Sequence, residues 1–488
     1  MSRRSLPIRF PRLSEVWVLL TVAAAFIGPA SSPVGLEVWW TLTSGKWMAE
    51  HHALLGSDPF TSAPAAAGPF LNTQWLAQLV YYVLERLGGL ELVILGTALA
   101  VAAAYWLVLA ACVVASGHTR LACVSVWIGY VLGFSNLTAR PQTLAYPVFG
   151  LFLLAIMRAE WRKDTRWLWL LPPAMMVWAN LPGSFVAGLA LLGCCAVGRA
   201  ASTRRLRPAY PYVFTELACC LAALATPYGS GSLAYVASIG SNLVIRDLVT
   251  EWAPTTATRG EGIVFFLSVA SLGVLALRSR ARLTASEALI LVVFGCLALS
   301  SVRSVVWWGM AVAPTTARLL GGLSLGRLRQ ARERGWLNLI LTAAVVLVAA
   351  LSLPWTKNAL PILPPDKRAL VSDDTPISAG RFLQSNDPPL PGRMLNHQLW
   401  GGYLNWVAWP RHQAFVDGRI EIHPAQVWLD YLDITFPTAN WRALLDKYNI
   451  TCAVLSRAEE NDLIETLRQA DGWHVAYEDG VAVVLERG

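Results

Sequence analysis

The chain has 488 residues, of which 55% are hydrophobic and only 14% charged, whereas an ordinary soluble protein carries about 25% charged residues. Together with a mean hydropathy of +0.47, this excludes an ordinary water-soluble domain and points to a polytopic membrane protein. The net charge of +8 does not call for a nucleic-acid partner, because the basic residues gather in short gaps between apolar stretches, beside anionic lipid.

In chain order, apolar stretches near the roughly 20 residues that a spanning helix needs fall at about 15–32, 91–116, 121–136, 141–157, 167–180, 184–199, 210–227, 262–278, 285–301, 303–320 and 336–354. The first follows a basic start and runs into a Pro-containing loop with no A-x-A-like site, so it reads as a membrane helix rather than a cleaved signal. One set of gaps is crowded with arginine: Arg3, Arg4, Arg9 and Arg12; Arg158, Arg162, Lys163 and Arg166; Arg199, Arg204, Arg205 and Arg207; Arg278, Arg280 and Arg282; Arg327, Arg329, Arg332 and Arg334. Positive charge stays on the cytoplasmic side during insertion. The expectation is therefore about 11 spans in a plasma membrane, a cytoplasmic N-terminus and an outer C-terminus. The stretch 75–89 would reverse the side of every later arginine gap if it crossed, so it is expected to be interfacial or re-entrant.

The other gaps form four outer regions: a long first loop at 33–74, the turn Asn136–Gln142, the turn Asn180–Gly183, and the loop 228–261 with a short surface helix. After residue 354 the composition changes. A Pro-rich linker, 355–392, leads to a polar segment, 393–488, whose mixed periods read as a small extracytoplasmic α/β domain. RMLNH, QAFVDGR, TCAVLS and the pair HVAYEDG/VAVVLER are its expected strands. The eight cysteines lie mostly in apolar stretches, without CxxC spacing or interleaved His, and read as small core residues.

Chemistry is sought on the outer face. A carboxylate at bilayer depth costs on the order of 3 kcal/mol, so Glu37 and Asp58 belong at or above the interface. Glu37, before Trp39 and Trp40, reads as a general base or sugar-hydroxyl ligand with an aromatic wall, or as a solvated acid in an aromatic belt. Asp58 reads as its helper, or as a turn cap in Asp58-Pro59. Arg140 and Arg303 lie on the arginine-poor side and require an anionic or carbonyl partner; they could clamp a phosphate or brace the bundle against Glu37, Asp247 or Glu251. Glu251 beside Trp252 repeats the acid-and-aromatic theme. Asn180 and Tyr228 end helices on the same face. His397, Tyr403, Asp417 and Arg419 sit at strand ends and Gly-rich turns, where they present a ligand edge or pair locally. Glu216 is the one mid-span acid considered, close enough to the arginine-rich end to snorkel. His51 and His52 read as surface residues, and no metal-ligand spacing is present.

This layout of cytoplasmic N-terminus, acidic first outer loop, many spans and outer C-terminal α/β domain resembles the GT-C superfamily of membrane glycosyltransferases. Residues 394–455, with Trp400-Gly401-Gly402-Tyr403-Leu404 and Phe415-Val416-Asp417-Gly418-Arg419, resemble the soluble domain of oligosaccharyltransferase catalytic subunits. The resemblance implies transfer of a sugar from a polyprenyl phosphate or diphosphate, with Glu37 as the first-loop acid and Arg140 or Arg303 facing the lipid phosphate. The Trp-Trp-Asp-Tyr-Gly acceptor motif of that family is here Gln398-Leu399-Trp400-Gly401-Gly402, without its acid, and the single Glu37 does not argue for a divalent cation. The competing readings are a non-catalytic scaffold, whose outer domain docks a partner subunit, and a lipid or solute transporter, which would favour mid-membrane polar groups and inverted repeats.

Overall fold

The computed structural model describes residues 10–66, 70–241, 252–323 and 333–488. Its helices, in chain order, are α1 (Leu13–Ser31), α2 (Glu37–His51), α3 (Trp75–Ser116), α4 (Thr119–Gly133), α5 (Tyr146–Trp161), α6 (Leu171–Ala179), α7 (Val186–Thr203), α8 (Tyr210–Ala223) and α9 (Gly231–Ser241). They continue with α10 (Gly260–Arg278), α11 (Ala285–Ser300), α12 (Val305–Gly321) and α13 (Gly335–Leu351). Helix thus occupies each expected apolar stretch. Among the described residues five stretches, Leu13–Ser31, Trp75–Ser116, Pro141–Trp161, Gly183–Thr203 and Gly260–Arg278, are long and apolar enough to cross a membrane. Others are shortened by their own sequence: Pro172 and Pro173 set the start of α6, and Pro211 that of α8, because proline fits only the first helical turn without losing a hydrogen bond.

The described residues in and beside the arginine-rich gaps collect at one end of this bundle. Arg199 pairs with Glu160 at 2.8 Å, Gly198 lies against Ser286, and Arg318 donates to the Arg282 carbonyl at 2.8 Å while its guanidinium lies 5.1 Å from the Trp161 ring. Gly321 abuts His118, and Asn338 donates to the Pro11 carbonyl at 2.9 Å. Helices α4 and α12 meet at a pair of glycines: a Cβ on Gly129 would lie 2.5 Å from the Gly309 carbonyl oxygen, and one on Gly309 2.6 Å from that of Gly129. Small residues at a membrane-helix crossing let the backbones approach this closely. The crossing fixes the far ends of both helices, which lead into Arg140 and out of Arg303.

Residues 75–89 do not cross the bundle. At Gly88 and Gly89 the backbone leaves helical geometry, Gly89 at φ 67° and ψ −166°, a conformation open essentially to glycine. The chain folds back there, so Leu84 lies against Gly96 and the Tyr81 hydroxyl sits 3.3 Å from Thr97 Oγ1. A straight helix would separate Tyr81 and Thr97 by about 24 Å. Trp75 and Tyr81 bond Asn180 and the Arg140 carbonyl, both at the arginine-poor end.

The last segment folds as a four-stranded sheet: β1 (Arg393–Asn396), β2 (Ile450–Ser456), β3 (Trp473–Glu478) and β4 (Ala482–Arg487), in the order β1-β2-β4-β3. Strands β1 and β2 are parallel, with Leu395 opposite Ala453; the other pairings are antiparallel. Helices α14 (Pro354–Ala359), α15 (Pro365–Arg368) and α16 (Ile377–Ser385) occupy the linker. Within the sheet segment lie α17 (Gly401–Ala408), α18 (Ala425–Thr435), α19 (Trp441–Lys447) and α20 (Asn461–Arg468). The expected strand in QAFVDGR is absent: Ala414 makes only isolated bridges to Thr61 and Met394. Side chains take the hydrogen bonds a partner strand would. Asn396 Oδ1 accepts from Phe415 N at 2.7 Å, its amide donates to the Val416 carbonyl at 2.9 Å, and Asn405 Oδ1 accepts from Ala414 N at 3.0 Å.

The described part of the loop 33–74 belongs to this layer rather than standing free. Val34 bridges Val371, Ser62 N and Ala63 N donate to the Ala414 and Phe415 carbonyls, and α2 packs on α17. One core holds Val38, Trp39 and Leu42 from the loop with Met394, Trp400, Leu404 and Val454 from the C-terminal segment. A Cβ at Gly401 would lie 2.1 Å from the Val416 carbonyl oxygen, and one at Gly402 2.8 Å from Trp40 N. The two glycines are what allow α17 to come this close.

Candidate functional site

Glu37 is the first residue of α2, where the free N–H groups and helix dipole favour a carboxylate. Pro141 forces Arg140 into an extended conformation, φ −145° and ψ 152°, which turns the chain sharply after α4. This places Arg140 Nε 3.6 Å from the Glu37 carboxylate, the arginine side chain 14% exposed and the glutamate 34%. Arg140 Nε also donates to Thr138 Oγ1 at 3.0 Å. Arg303, in the turn that opens α12, donates to Gln142 Oε1 at 2.6 Å and lies over the Trp252 ring, 5.5 Å from its centroid.

These groups share one electrostatic environment. Burial works against ionisation of Glu37, but the guanidinium groups of Arg140 and Arg303 outweigh it and hold the carboxyl below the usual glutamate range. Among the described residues, Arg140, Arg303 and Glu37 meet at the arginine-poor end of the bundle. Gln142 and Trp252 complete the wall. The sequence placed both near candidates but offered no reason to choose them, since neither is ionisable.

The other expected site residues have different surroundings. Trp39 is 4% exposed, with Tyr403 edge-on at 5.0 Å, so both are core residues and neither forms an interfacial wall. Trp40 lies against Arg419, whose guanidinium is 5.9 Å from its ring. Asp58 caps a turn through Thr61 N at 3.0 Å and also pairs with Arg419 at 2.9 Å. Arg419 is held on its other side by Asp417, with Nε 3.0 Å from one carboxylate oxygen. All three side chains are buried, so Asp58, Asp417 and Arg419 clasp the first loop to the C-terminal layer instead of lining a ligand edge. His397 pairs with Glu460 at 2.7 Å beside Trp400. Asn180 is saturated: it donates to the Met176 and Ala225 carbonyls and accepts from Trp75 Nε1. Tyr228 is half-buried, and its buried hydroxyl has no hydrogen-bond partner among the described residues. Glu251 and Asp247 lie outside the described residues. Glu216 lies beside Gly193 in the apolar part of the bundle, away from these groups.

A contact absent from the sequence reading joins the loop 228–261 to the C-terminal layer. Tyr235 of α9 donates to Glu421 at 3.0 Å. Burial raises the Glu421 carboxyl above its usual range despite Arg419 nearby. Among the described residues, no group of three His, Cys, Asp or Glu side chains is placed to hold a metal ion.

No family model and no curated protein sequence matches the chain. Solved structures do. The oligosaccharyltransferase AglB from Archaeoglobus fulgidus, in complex with an inhibitory peptide and a dolichol-phosphate, matches with a TM-score of 0.60 at 11% identity, over 96% of this chain and 74% of that one. Its apo form gives a TM-score of 0.55. ArnT from Cupriavidus metallidurans, bound to undecaprenyl phosphate, matches with a TM-score of 0.50 at 14% identity, over 96% of this chain and 97% of that one. The chain shares its fold with the AglB and ArnT structures, and among its described residues five helical stretches are long and apolar enough to cross a membrane.

Proposed function

We propose that the protein transfers a sugar from a polyprenyl phosphate or diphosphate carrier to an acceptor at the outer membrane face. The observation that carries this reading is the convergence of Glu37, Arg140 and Arg303 at the end of the bundle opposite the arginine-rich gaps. With those gaps cytoplasmic, this centre lies at the outer leaflet, where a lipid phosphate would reach its two guanidinium groups. The AglB and ArnT structures carry dolichol-phosphate and undecaprenyl phosphate, which supports an isoprenoid phosphate as the anion.

In this reading Arg140 and Arg303 take the phosphate through their planar guanidinium forks, with Gln142 orienting Arg303. Before the donor arrives Arg140 neutralises Glu37, which makes it a poor base. A phosphate competes for the same guanidinium groups and releases the carboxylate to orient or deprotonate an acceptor hydroxyl. Donor binding and acceptor activation are thereby linked through one ion pair.

The test is transfer of labelled sugar from a panel of polyprenyl-linked donors by the full chain in nanodiscs. Losing one charge-assisted contact costs about 1.5–3 kcal/mol, so Arg303→Gln should weaken donor binding by roughly 10- to 150-fold. Glu37→Gln should lower kcat with donor affinity retained. Unchanged binding of polyprenyl phosphate by Arg140→Gln and Arg303→Gln would remove the basis of the proposal.

A further inference from the structure

A second polar site lies away from Glu37, between the linker and the C-terminal sheet. A cavity of about 600 Å³ is lined by Asn358, Arg368, Asp373, Thr375, Ser378 and Asp479, with Val371 and Val481 among its apolar contacts. It is built from three separate pieces: α14, the strip 365–378, and the turn between β3 and β4. Two of its lining residues each carry a buried side-chain atom without a partner, Arg368 Nε and Thr375 Oγ1, and Thr375 is only 4% exposed. Buried donors left unpaired are rare in folded proteins and call for a ligand or water. Among the described side chains neither Arg368 nor Asp373 has an ion-pair partner, and Asp373 is an exposed lining residue.

The depth of the cavity follows from the helices around it. The apolar helix α13 ends at Leu351, and α14 follows within a few residues. Lys357 of α14 donates to the carbonyls of Ser31, at the end of α1, and Ala369. Trp355 is 47% exposed and Ile362 86% exposed. An exposed Trp and a bare Ile just beyond a membrane helix belong at the interface, with the rings and branches turned to lipid. The cavity therefore opens in the headgroup layer, not in bulk water.

We infer that this cavity binds the headgroup of a phospholipid carrying a phosphate and a primary ammonium. Arg368 and the Thr375 hydroxyl take the phosphate oxygens, and Asp373 takes the ammonium. The guanidinium fork suits a phosphodiester. The carboxylate discriminates: a primary ammonium donates hydrogen bonds to it, a quaternary ammonium cannot, and an anionic headgroup is repelled. The site makes no use of Glu37, Arg140 or Arg303, and it stands or falls independently of the glycosyltransferase reading.

The experiment uses the full chain released from nanodiscs of equimolar phosphatidylethanolamine, phosphatidylcholine and phosphatidylglycerol, with retained lipid read by native mass spectrometry. The wild-type chain should retain phosphatidylethanolamine preferentially. Arg368→Gln should lower that retention about tenfold, the loss expected for a charge-assisted hydrogen bond, with Arg368→Lys intermediate. Asp373→Asn should keep phospholipid but lose the preference, admitting phosphatidylglycerol. Equal thermal midpoints of the variants in detergent establish that the effect is local. The inference is overturned if all variants retain the same lipids in the same ratio as wild type, or if phosphatidylglycerol is preferred throughout. Saturation by soluble glycerophosphoethanolamine, with no lipid retained, would overturn the membrane source in favour of a free phosphoethanolamine compound.

Discussion

Replacing Arg419 by Met isolates the clasp between the loop 33–74 and the C-terminal layer. The arginine side chain is 7% exposed and lies between Asp58 at 6% and Asp417 at 1%. Removing one partner of a buried ion pair costs about 3–5 kcal/mol, because the remaining charge is left uncompensated. Here two carboxylates are stranded, so the upper part of that range applies. Asp58→Asn is milder, about 1–3 kcal/mol, since Arg419 keeps Asp417 and the introduced amide can still bond Thr61. Amide hydrogen exchange of α17 and β1 reads the local opening energy directly. Arg419→Met should accelerate it roughly 900- to 5000-fold, and the triple change Arg419→Met, Asp58→Asn, Asp417→Asn should recover most of the loss. Burial pushes the Asp58 carboxyl up, but Arg419 and the Thr61 hydrogen bonds together hold it below its usual value. Its contribution is therefore present above about pH 4, the unfolded aspartate value, and is lost only as pH falls through the lower folded value. An acceleration under about tenfold, or equal damage from Asp58→Asn and Arg419→Met, would refute the clasp.

His397 behaves in the opposite sense. Burial lowers its pKa, but the Glu460 hydrogen bond and charge outweigh this and raise it above the usual histidine value, so its stabilisation is present below about pH 6.5 and fades as pH rises through the folded value; His397→Gln should flatten this slope in exchange rates of β1 and β2. Gly402→Ala should push α2 from α17, because the added Cβ meets Trp40 N at 2.8 Å, and should cost about 1–3 kcal/mol by thermal unfolding in nanodiscs. Gly309→Leu should splay α12 from α4 and reduce polyprenyl-phosphate binding without touching a charged residue, read by the same donor titration as Arg303→Gln. The depressed Glu37 carboxyl should put the acid limb of kcat/KM, which reports the free enzyme, below the ordinary glutamate value of about 4.3. The acid limb of kcat, with phosphate on the arginines, should lie higher.

What the sequence disclosed and what it withheld follow from the range of each interaction. Apolar stretches, arginine gaps and the turn residues of the last segment are local signals, and helices stand at each expected stretch. The strands at 393–396, 450–456, 473–478 and 482–487 were legible for the same reason. QAFVDGR was misread because its alternation is that of a strand, while its backbone is claimed by the side chains of Asn396 and Asn405, a long-range fact. For Asp417 and Arg419 the sequence leaves a ligand edge and local pairing open, and for Asp58 a helper acid and a turn cap; the structure has the pairing and the cap. Only the fold shows that 361 residues of sequence separate Asp58 from the guanidinium that satisfies it. The opposite case is Arg140. An arginine on the arginine-poor face, followed by a proline, had to have an anionic or carbonyl partner, and the requirement could be stated without knowing that partner. The Glu37 centre was open to sequence reasoning for that reason: charge near lipid must be answered from close by, whereas charge in a water-facing turn need not be.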